Sequence, residues 1–254
     1  MIVGLFALLA VVGPVIAPMD PMGQDLAGRL AQPSASHLLG TDAFGRDVLS
    51  RVLVAARIDL PVCIAAALVS ALVGLVLGAA GGYLGGVVDA FLMRLGDLVM
   101  AFPTYVLVIA LIAVIGPGVP AILVSFALVG WVSYARLLRE EIRRVRREDY
   151  ITAAYLAGIG RPTVLVRHVL PNAIRPVLAY FVMDVMFAIL TLAALSYLGL
   201  GIQPPSPEWG TMVAEGQTFL QTHWWLTAAP GAMIAGLGLG LLLVGESLER
   251  RLKA

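Results

Sequence analysis

The chain has 254 residues, of which 60% are hydrophobic and only 13% charged, and its formal net charge is +1. A soluble domain of this length carries about 25% charged residues and roughly 45–50% apolar ones. Because this much apolar surface cannot be hidden in one water-soluble core, the composition excludes an ordinary soluble protein and indicates one that faces lipid.

Six apolar runs have about the length of a membrane helix, which needs roughly 20 apolar residues to cross a bilayer core of about 30 Å. They cover residues 2–17, 60–83, 98–115, 119–134, 176–198 and 225–244. The first run lacks a basic n-region and a small-residue cleavage site, so we interpret it as a membrane helix rather than a cleaved signal. The sequence therefore predicts an all-α, polytopic membrane protein of about six transmembrane helices, with one transmembrane domain over 1–254.

The basic residues predict how the chain is oriented, since Lys and Arg concentrate in cytoplasmic loops. With the N-terminus inside, four arginines lie in outer segments, whereas the inner segments hold Arg94, the nine arginines within 136–175 and three basic residues near the C-terminus. We therefore expect both termini in the cytoplasm, two long outer segments over 18–59 and 196–224, and one long inner segment over 136–175. We interpret Asp89, Arg94 and Asp97, at the cytoplasmic start of the third span, as a solvated face.

Several common kinds of chemistry are excluded by what the sequence lacks. Lys253 is the only lysine, so the chain cannot contain a Walker A loop, which needs a lysine after a Gly-rich turn. Any ATP that powers the protein must therefore bind to another polypeptide. The three histidines and the single cysteine are far apart and lack the spacing of a metal site. We expect no cofactor, no metal and no catalytic residue in this chain.

Two features lie inside the predicted spans. Glycines recur every four residues on the second span and its end, at Gly74, Gly78, Gly82 and Gly86. Such a ridge lets another helix approach closely; we interpret it as packing within the chain, with a subunit contact as the alternative. Asp184 lies midway along the fifth span, where an ionisable group is costly. We interpret it as lining a translocation path, with a bond to a neighbouring helix as the alternative.

The inner segment contains a predicted pair of short helices over 148–172. Asp149 complements the dipole at the start of the first helix, and Gly158 can end that helix in the left-handed conformation. Pro162 suits the first turn of the second helix, which Pro171 closes. A narrow surface that can fit a cleft of another protein is formed by Ala153, Ala154 and Ala157. The basic run just before this pair is short and lies against the membrane, which favours an anchor at the headgroups over nucleic-acid binding.

This segment resembles the cytoplasmic EAA loop of ABC-importer permeases. The family pattern is Glu-Ala-Ala, three residues, Gly, nine residues, an aliphatic residue, one residue and Leu-Pro. The matching positions here are Thr152, Ala153, Ala154, Gly158, His168, Leu170 and Pro171. Every spacing holds, but Thr152 replaces the glutamate and His168 replaces the aliphatic residue. Thr152 has no charge and so lacks the ion pair that a glutamate could form at that position, whereas the two helices do not depend on it.

Three further stretches resemble the C-type permeases of dipeptide, oligopeptide and nickel importers: residues 37–57, 167–172 and 196–216. The resemblance covers nearly the whole chain and implies a type I ABC-importer permease fold. It also implies that the EAA-like residues couple to the ATPase, and that Asp42, Arg46 and Trp209 contact a binding protein on the outer face. An anchor at the lipid interface is the alternative for Trp209.

The resemblance also implies a set of partners in a bacterial inner membrane. These are a second, B-type permease, two P-loop ATPase subunits that bind ATP and Mg²⁺, and an extracytoplasmic solute-binding protein. The alternatives are a self-contained channel or secondary transporter, which inverted repeats would support, and a membrane enzyme, which would need a nucleophile–base pair or a metal cluster. The sequence does not distinguish dipeptides, longer peptides, nickel and haem as the solute.

Overall fold

The computed structural model describes residues 2–253, which form a bundle of helices of very different lengths. A 3₁₀ turn lies at Leu26–Gly28 and a π-helical turn at Leu165–Val169. Thr41 and Asp47 form an isolated antiparallel bridge, and the described residues form no β-strand. The α-helices are α1 (Ile2–Ile16), α2 (Val48–Leu84), α3 (Gly86–Met100), α4 (Thr104–Ile115), α5 (Val119–Val129), α6 (Trp131–Val145), α7 (Asp149–Leu156), α8 (Arg161–Val164), α9 (Leu170–Ala173), α10 (Arg175–Tyr197), α11 (Trp209–Gln217) and α12 (Trp225–Lys253).

Four helical stretches are long and apolar enough to cross a membrane. They are Val48–Leu84, Val119–Val145, Arg175–Tyr197 and Trp225–Arg251. The pair α3 and α4 makes a fifth candidate, bent by 86°, and α1 is apolar but shorter, with 15 residues. The all-α, polytopic fold class is thus confirmed, while four or five of the predicted spans meet this length test.

The third predicted span, 98–115, is wrong as a single helix. α3 ends at Met100, and α4 begins at Thr104 in a different direction. Pro103 has no backbone N–H to donate, and a proline disfavours helical geometry at the preceding residue, Phe102. The chain therefore breaks its helix at this point, and α3 lies at a steep angle to α4.

The fourth predicted span, 119–134, is too short. α5 and α6 together form one apolar candidate span that ends at Val145. The extension is stable because its inner face is apolar and buried at Leu138, Ile142 and Val145, whereas its arginines lie on the other faces. The inner segment expected over 136–175 thus begins as a continuation of a membrane helix.

α2 is the central scaffold of the bundle. It has 37 residues, or about 55 Å at 1.5 Å per residue, and it packs against α1, α5, α6 and α10. Its glycine ridge faces α6: a Cβ on Gly78 would lie 2.6 Å from the carbonyl oxygen of Ala135. Gly74 and Gly82 meet α6 in the same way. Packing within the chain is therefore confirmed for these three glycines, while Gly86 faces open space.

The acidic residues of α3 are only partly solvated. Asp89 is buried and accepts hydrogen bonds from Arg139 and Arg143 of α6, so the prediction of a solvated side chain is wrong there. Arg94 and Asp97 are exposed, as predicted, and Asp97 also pairs with Arg136 at 2.6 Å. These ion pairs hold the first and the last turn of α3 against α6.

Candidate translocation and coupling sites

The inner segment forms the predicted pair of short helices joined by a tight turn. Gly158 adopts φ +81°, which a residue with a Cβ adopts only at a cost. The N–H of Ile159 donates to Ala154 O at 3.2 Å, and that of Gly158 donates to Tyr155 O at 3.0 Å. This pair of bonds is the Schellman motif, which satisfies the last carbonyls of α7. The turn therefore sets the angle between the two helices through local chemistry.

The second helix begins with Pro162 in its first turn, as predicted. Pro171, however, does not close it: it lies in the first turn of α9, and the helical path continues into α10. In the π-helical turn before it, the N–H of Leu170 donates to Leu165 O, one residue further back than in an α-helix. A proline in the first turn of a helix removes no hydrogen bond, because the N–H groups of that turn have no partner within the helix. The chain therefore continues directly from the turn into α10.

We call residues 149–173 the coupling segment. Its buried face consists of Ile151, Ala154, Val164, Val169 and Ala173, which pack with the C-terminal halves of α2 and α6. Of the seven EAA-like residues, Thr152, Ala153, Gly158 and Pro171 are exposed, His168 and Leu170 are half-buried, and Ala154 is buried.

The exposed face of the coupling segment is small and partly apolar. Ala153 and Ala157 are exposed, as the narrow alanine surface predicts, but Ala154 faces inward. Leu156, which the sequence did not single out, is 84% exposed beside them. Together with Ala153 and Ala157, Leu156 gives this face a small apolar surface.

Asp184 lines a cavity of about 370 Å³ between α4, α6 and α10. Its Oδ2 accepts a hydrogen bond from the Tyr134 hydroxyl at 2.9 Å, and the carboxyl is buried. The two alternatives drawn from the sequence are therefore compatible, because the same side chain bonds to a neighbouring helix and borders the cavity. Half of the lining residues carry aromatic or thioether side chains, namely Met100, Tyr105, Phe126, Tyr180, Met183, Met186 and Phe187.

A cluster of four charges, built around two buried arginines, joins the outer segment to α11. Arg46 donates through Nε to Asp42 Oδ2 at 2.6 Å and through Nη2 to Glu215 Oε2 at 2.9 Å. Arg51 donates to the same Glu215 oxygen at 3.3 Å, and the two arginine side chains are only 2% and 1% exposed. Charges this deeply buried are held by each other, so Asp42 and Arg46 are framework residues of the outer segment. Their predicted direct contact with a binding protein is wrong for this conformation.

Trp209 is also part of the framework, with an exposed fraction of 1%. Its indole N–H donates to Val52 O at 3.0 Å, and its backbone N–H donates to Asp59 Oδ2 at 3.1 Å. Glu208 accepts from Gly210 and Thr211 and so caps α11. Burial raises the pKa of the Glu208 carboxyl, and these hydrogen bonds oppose the rise. Neither a surface contact nor a lipid-interface anchor fits a tryptophan enclosed in this way.

The residues that sequence analysis missed are mostly long-range partners. Tyr134 meets Asp184 across 50 residues, and Glu215 meets Arg46 across 169. No local spacing in the sequence indicates such pairs. For a metal, no group of three or more suitable His, Cys, Asp or Glu side chains occurs among residues 2–253.

Comparisons with known proteins agree with this architecture. Residues 62–254 match the family described as "Binding-protein-dependent transport system inner membrane component". The "Dipeptide transport system permease protein DppC" of Haemophilus influenzae is 36% identical over 96% of this chain and 85% of its own length. The "Nickel transport system permease protein NikC" of Escherichia coli is 34% identical over 99% of this chain and 91% of its own length.

Two more relatives extend the comparison. The "Oligopeptide transport system permease protein OppC" of Bacillus subtilis is 33% identical over 98% of this chain and 81% of its own length. A solved structure of the MetNI methionine ABC transporter in an inward-facing conformation shares the fold, with a TM-score of 0.55 and 15% identity over 76% of this chain and 94% of that one. This chain belongs to the family of inner membrane components of binding-protein-dependent transport systems, and it is a multi-pass permease subunit of an ABC importer.

Proposed function

We propose that this permease imports peptides or similar small solutes and forms half of their path across the bacterial inner membrane. The other half comes from a second, B-type permease. Relatives named for dipeptide and oligopeptide transport support this class of solute, and the relative named for nickel transport makes Ni²⁺ the competing solute. The cavity beside Asp184 supports a path along α10, because its volume of about 370 Å³ is within the range of small-molecule sites.

The coupling segment docks on one of the importer's two cytoplasmic P-loop ATPase subunits. The observation that carries this proposal is the pair of short helices fixed by the Schellman turn at Gly158, with Ala153, Leu156 and Ala157 exposed on one side. ATP and Mg²⁺ bind to those subunits, since this chain has no lysine outside Lys253. The inner face of the coupling segment packs on α6, so docking acts directly on the membrane helices.

Both termini lie in the cytoplasm in this proposal, and the outer segment meets an extracytoplasmic solute-binding protein. The arginine-rich end of α6 supports the orientation, since basic residues favour the cytoplasmic side. Exposed apolar side chains on the outer segment support the contact, namely Leu26, Leu38 and Phe44. They take the place of the buried Asp42, Arg46 and Trp209 as the expected contact residues.

The assembly is tested by purifying the tagged chain from its native membrane in mild detergent and identifying by mass what accompanies it. Recovery of a second permease and P-loop ATPases is expected. Leu156→Glu should reduce recovery of the ATPases, because it places a charge in an apolar contact. Leu220→Glu, at an exposed leucine on the other side of the bundle, is the matched control. Reproducible isolation of the chain without any ATPase would overturn the proposal.

The solute class is tested separately in proteoliposomes that hold the purified importer and its binding protein. ATP-dependent uptake of a labelled dipeptide, a labelled pentapeptide and radioactive Ni²⁺ is measured in parallel. The proposal expects uptake of at least one peptide. Uptake of Ni²⁺ alone, with neither peptide transported or competing, would contradict it.

A further inference from the structure

Tyr83, near the C-terminal end of α2, contacts both helices of the coupling segment. Its hydroxyl donates a hydrogen bond to the backbone oxygen of Arg161, the first residue of α8. The same hydroxyl lies 3.4 Å from the hydroxyl of Tyr155 on α7. One side chain on the longest membrane helix therefore joins the two helices on either side of the Gly158 turn.

Arg146 fastens the same end of α2 from the other side. It lies between α6 and α7, and its Nη1 donates to the carbonyl oxygens of Gly82 at 3.2 Å and Tyr83 at 2.9 Å. Its guanidinium carbon is 5.1 Å from the centre of the Tyr83 ring, within the range of a cation–π contact. The last carbonyls of a helix have no partner inside the helix, and a cation there also favours the dipole. Arg146 thus caps α2 with a residue that belongs to the start of the inner segment.

The contacts of Tyr83 and Arg146 differ in kind from the apolar packing around them. The buried face of the coupling segment packs on α6 through methyl and methylene groups, and such contacts fix no direction. Hydrogen bonds have preferred distances and angles. The bonds at Tyr83 and Arg146 therefore fix where the end of α2 stands relative to α7 and α8.

We propose that Tyr83 and Arg146 form a link that transmits movement of the coupling segment to α2. Both are positioning residues, since neither lines the cavity at Asp184. α2 then carries the movement to α6 through the close contacts at Gly74, Gly78 and Gly82. The inference rests on the proposed docking of the coupling segment on an ATPase.

The test uses the complete importer in proteoliposomes, with ATP hydrolysis and solute uptake measured on the same preparation. Tyr83→Phe keeps the ring and removes the hydroxyl. We expect unchanged recovery of the ATPase subunits and retained ATP hydrolysis, with about a fivefold rise in ATP hydrolysed per solute imported. One hydrogen bond contributes a net free energy that corresponds to about a fivefold change in an equilibrium constant, and we take this factor as the expected loss of coupling. Tyr197→Phe, at an exposed tyrosine at the C-terminal end of α10 and outside the coupling segment, is the control and should leave the ratio unchanged.

A second variant keeps the inference falsifiable without relying on one substitution. Arg146→Gln should raise the same ratio, and the double variant should raise it by less than the product of the single effects, because both residues serve one link. An unchanged ratio in Tyr83→Phe, or loss of the ATPase subunits from that variant, would overturn the link. Absence of ATPase subunits from the unmodified importer would instead overturn the proposed docking, so the two failures are distinguishable.

Discussion

Glu215→Gln is expected to loosen the attachment of the outer segment to α11. The carboxylate accepts from two arginines whose side chains are 2% and 1% exposed, while its own side chain is 25% exposed. Glutamine keeps an acceptor oxygen, so the two arginines keep their hydrogen bonds and lose only the attraction between opposite charges. That attraction is about 1 kcal/mol for each pair, because the carboxylate is partly exposed. The total of about 2 kcal/mol corresponds to a fall in Tm of about 4–8 °C for a chain of this size.

Cys63 provides the assay. It is the only cysteine in the chain and is buried in the apolar core, so a thiol-reactive fluorescent dye labels it when the purified chain unfolds in detergent. Glu246→Gln is the matched control, because Glu246 pairs with Arg250 four residues on and both side chains are largely exposed. Such a pair contributes about 0.5 kcal/mol. Equal Tm shifts for the two variants would refute the reasoning that the buried cluster holds the outer segment.

Three further predictions concern the path, the central packing and the coupling turn. Asp184→Asn should impair uptake by the reconstituted importer while the subunits still co-purify; normal uptake rates would show that this carboxylate is not needed in the path. Gly78→Ala should cost about 1–3 kcal/mol of folding free energy through overpacking and so lower Tm, because the added Cβ would lie 2.6 Å from Ala135 O. Gly231→Ala, where a Cβ meets open space within a helix, should leave Tm unchanged or raise it, and the reverse order of the two would contradict the packing. Gly158→Ala, at φ +81°, should cost about 1–2 kcal/mol and reduce co-purification of the ATPase; unchanged recovery would mean that the turn does not position α7.

The parts of the structure that could be predicted from sequence are those with local physical causes. Gly158 and Pro162 predicted the turn between the coupling helices because helix ends depend on a few neighbouring residues. The glycine ridge predicted close packing because a spacing of four residues places the glycines on one face of α2. Pro103 carried a local indication of the break between α3 and α4, but the continuous apolar run across it favoured one helix.

The remaining features depend on contacts that are distant in sequence. Asp89 is charged and lies at the cytoplasmic start of the predicted third span, which suggests a solvated side chain. Only the approach of α6 makes it a buried partner of Arg139 and Arg143. Trp209 occurs in an outer segment where an aromatic residue suggests an interface, yet α2 encloses it through Val52 and Asp59. Pairings of this kind become visible only when the helices are placed in space.

The buried charges of the outer segment have a consequence for the order in which the protein is made. In the proposed orientation, Arg46 and Arg51 cross the membrane with the first two helices, whereas Glu215 follows α10, 164 residues after Arg51. A nascent chain therefore exposes two arginines on the far side without their shared partner until α10 has been inserted. The outer segment over 18–59 is therefore completed only by a part of the chain that is synthesised much later, so a chain that stops before α11 lacks the carboxylate that holds that segment in place.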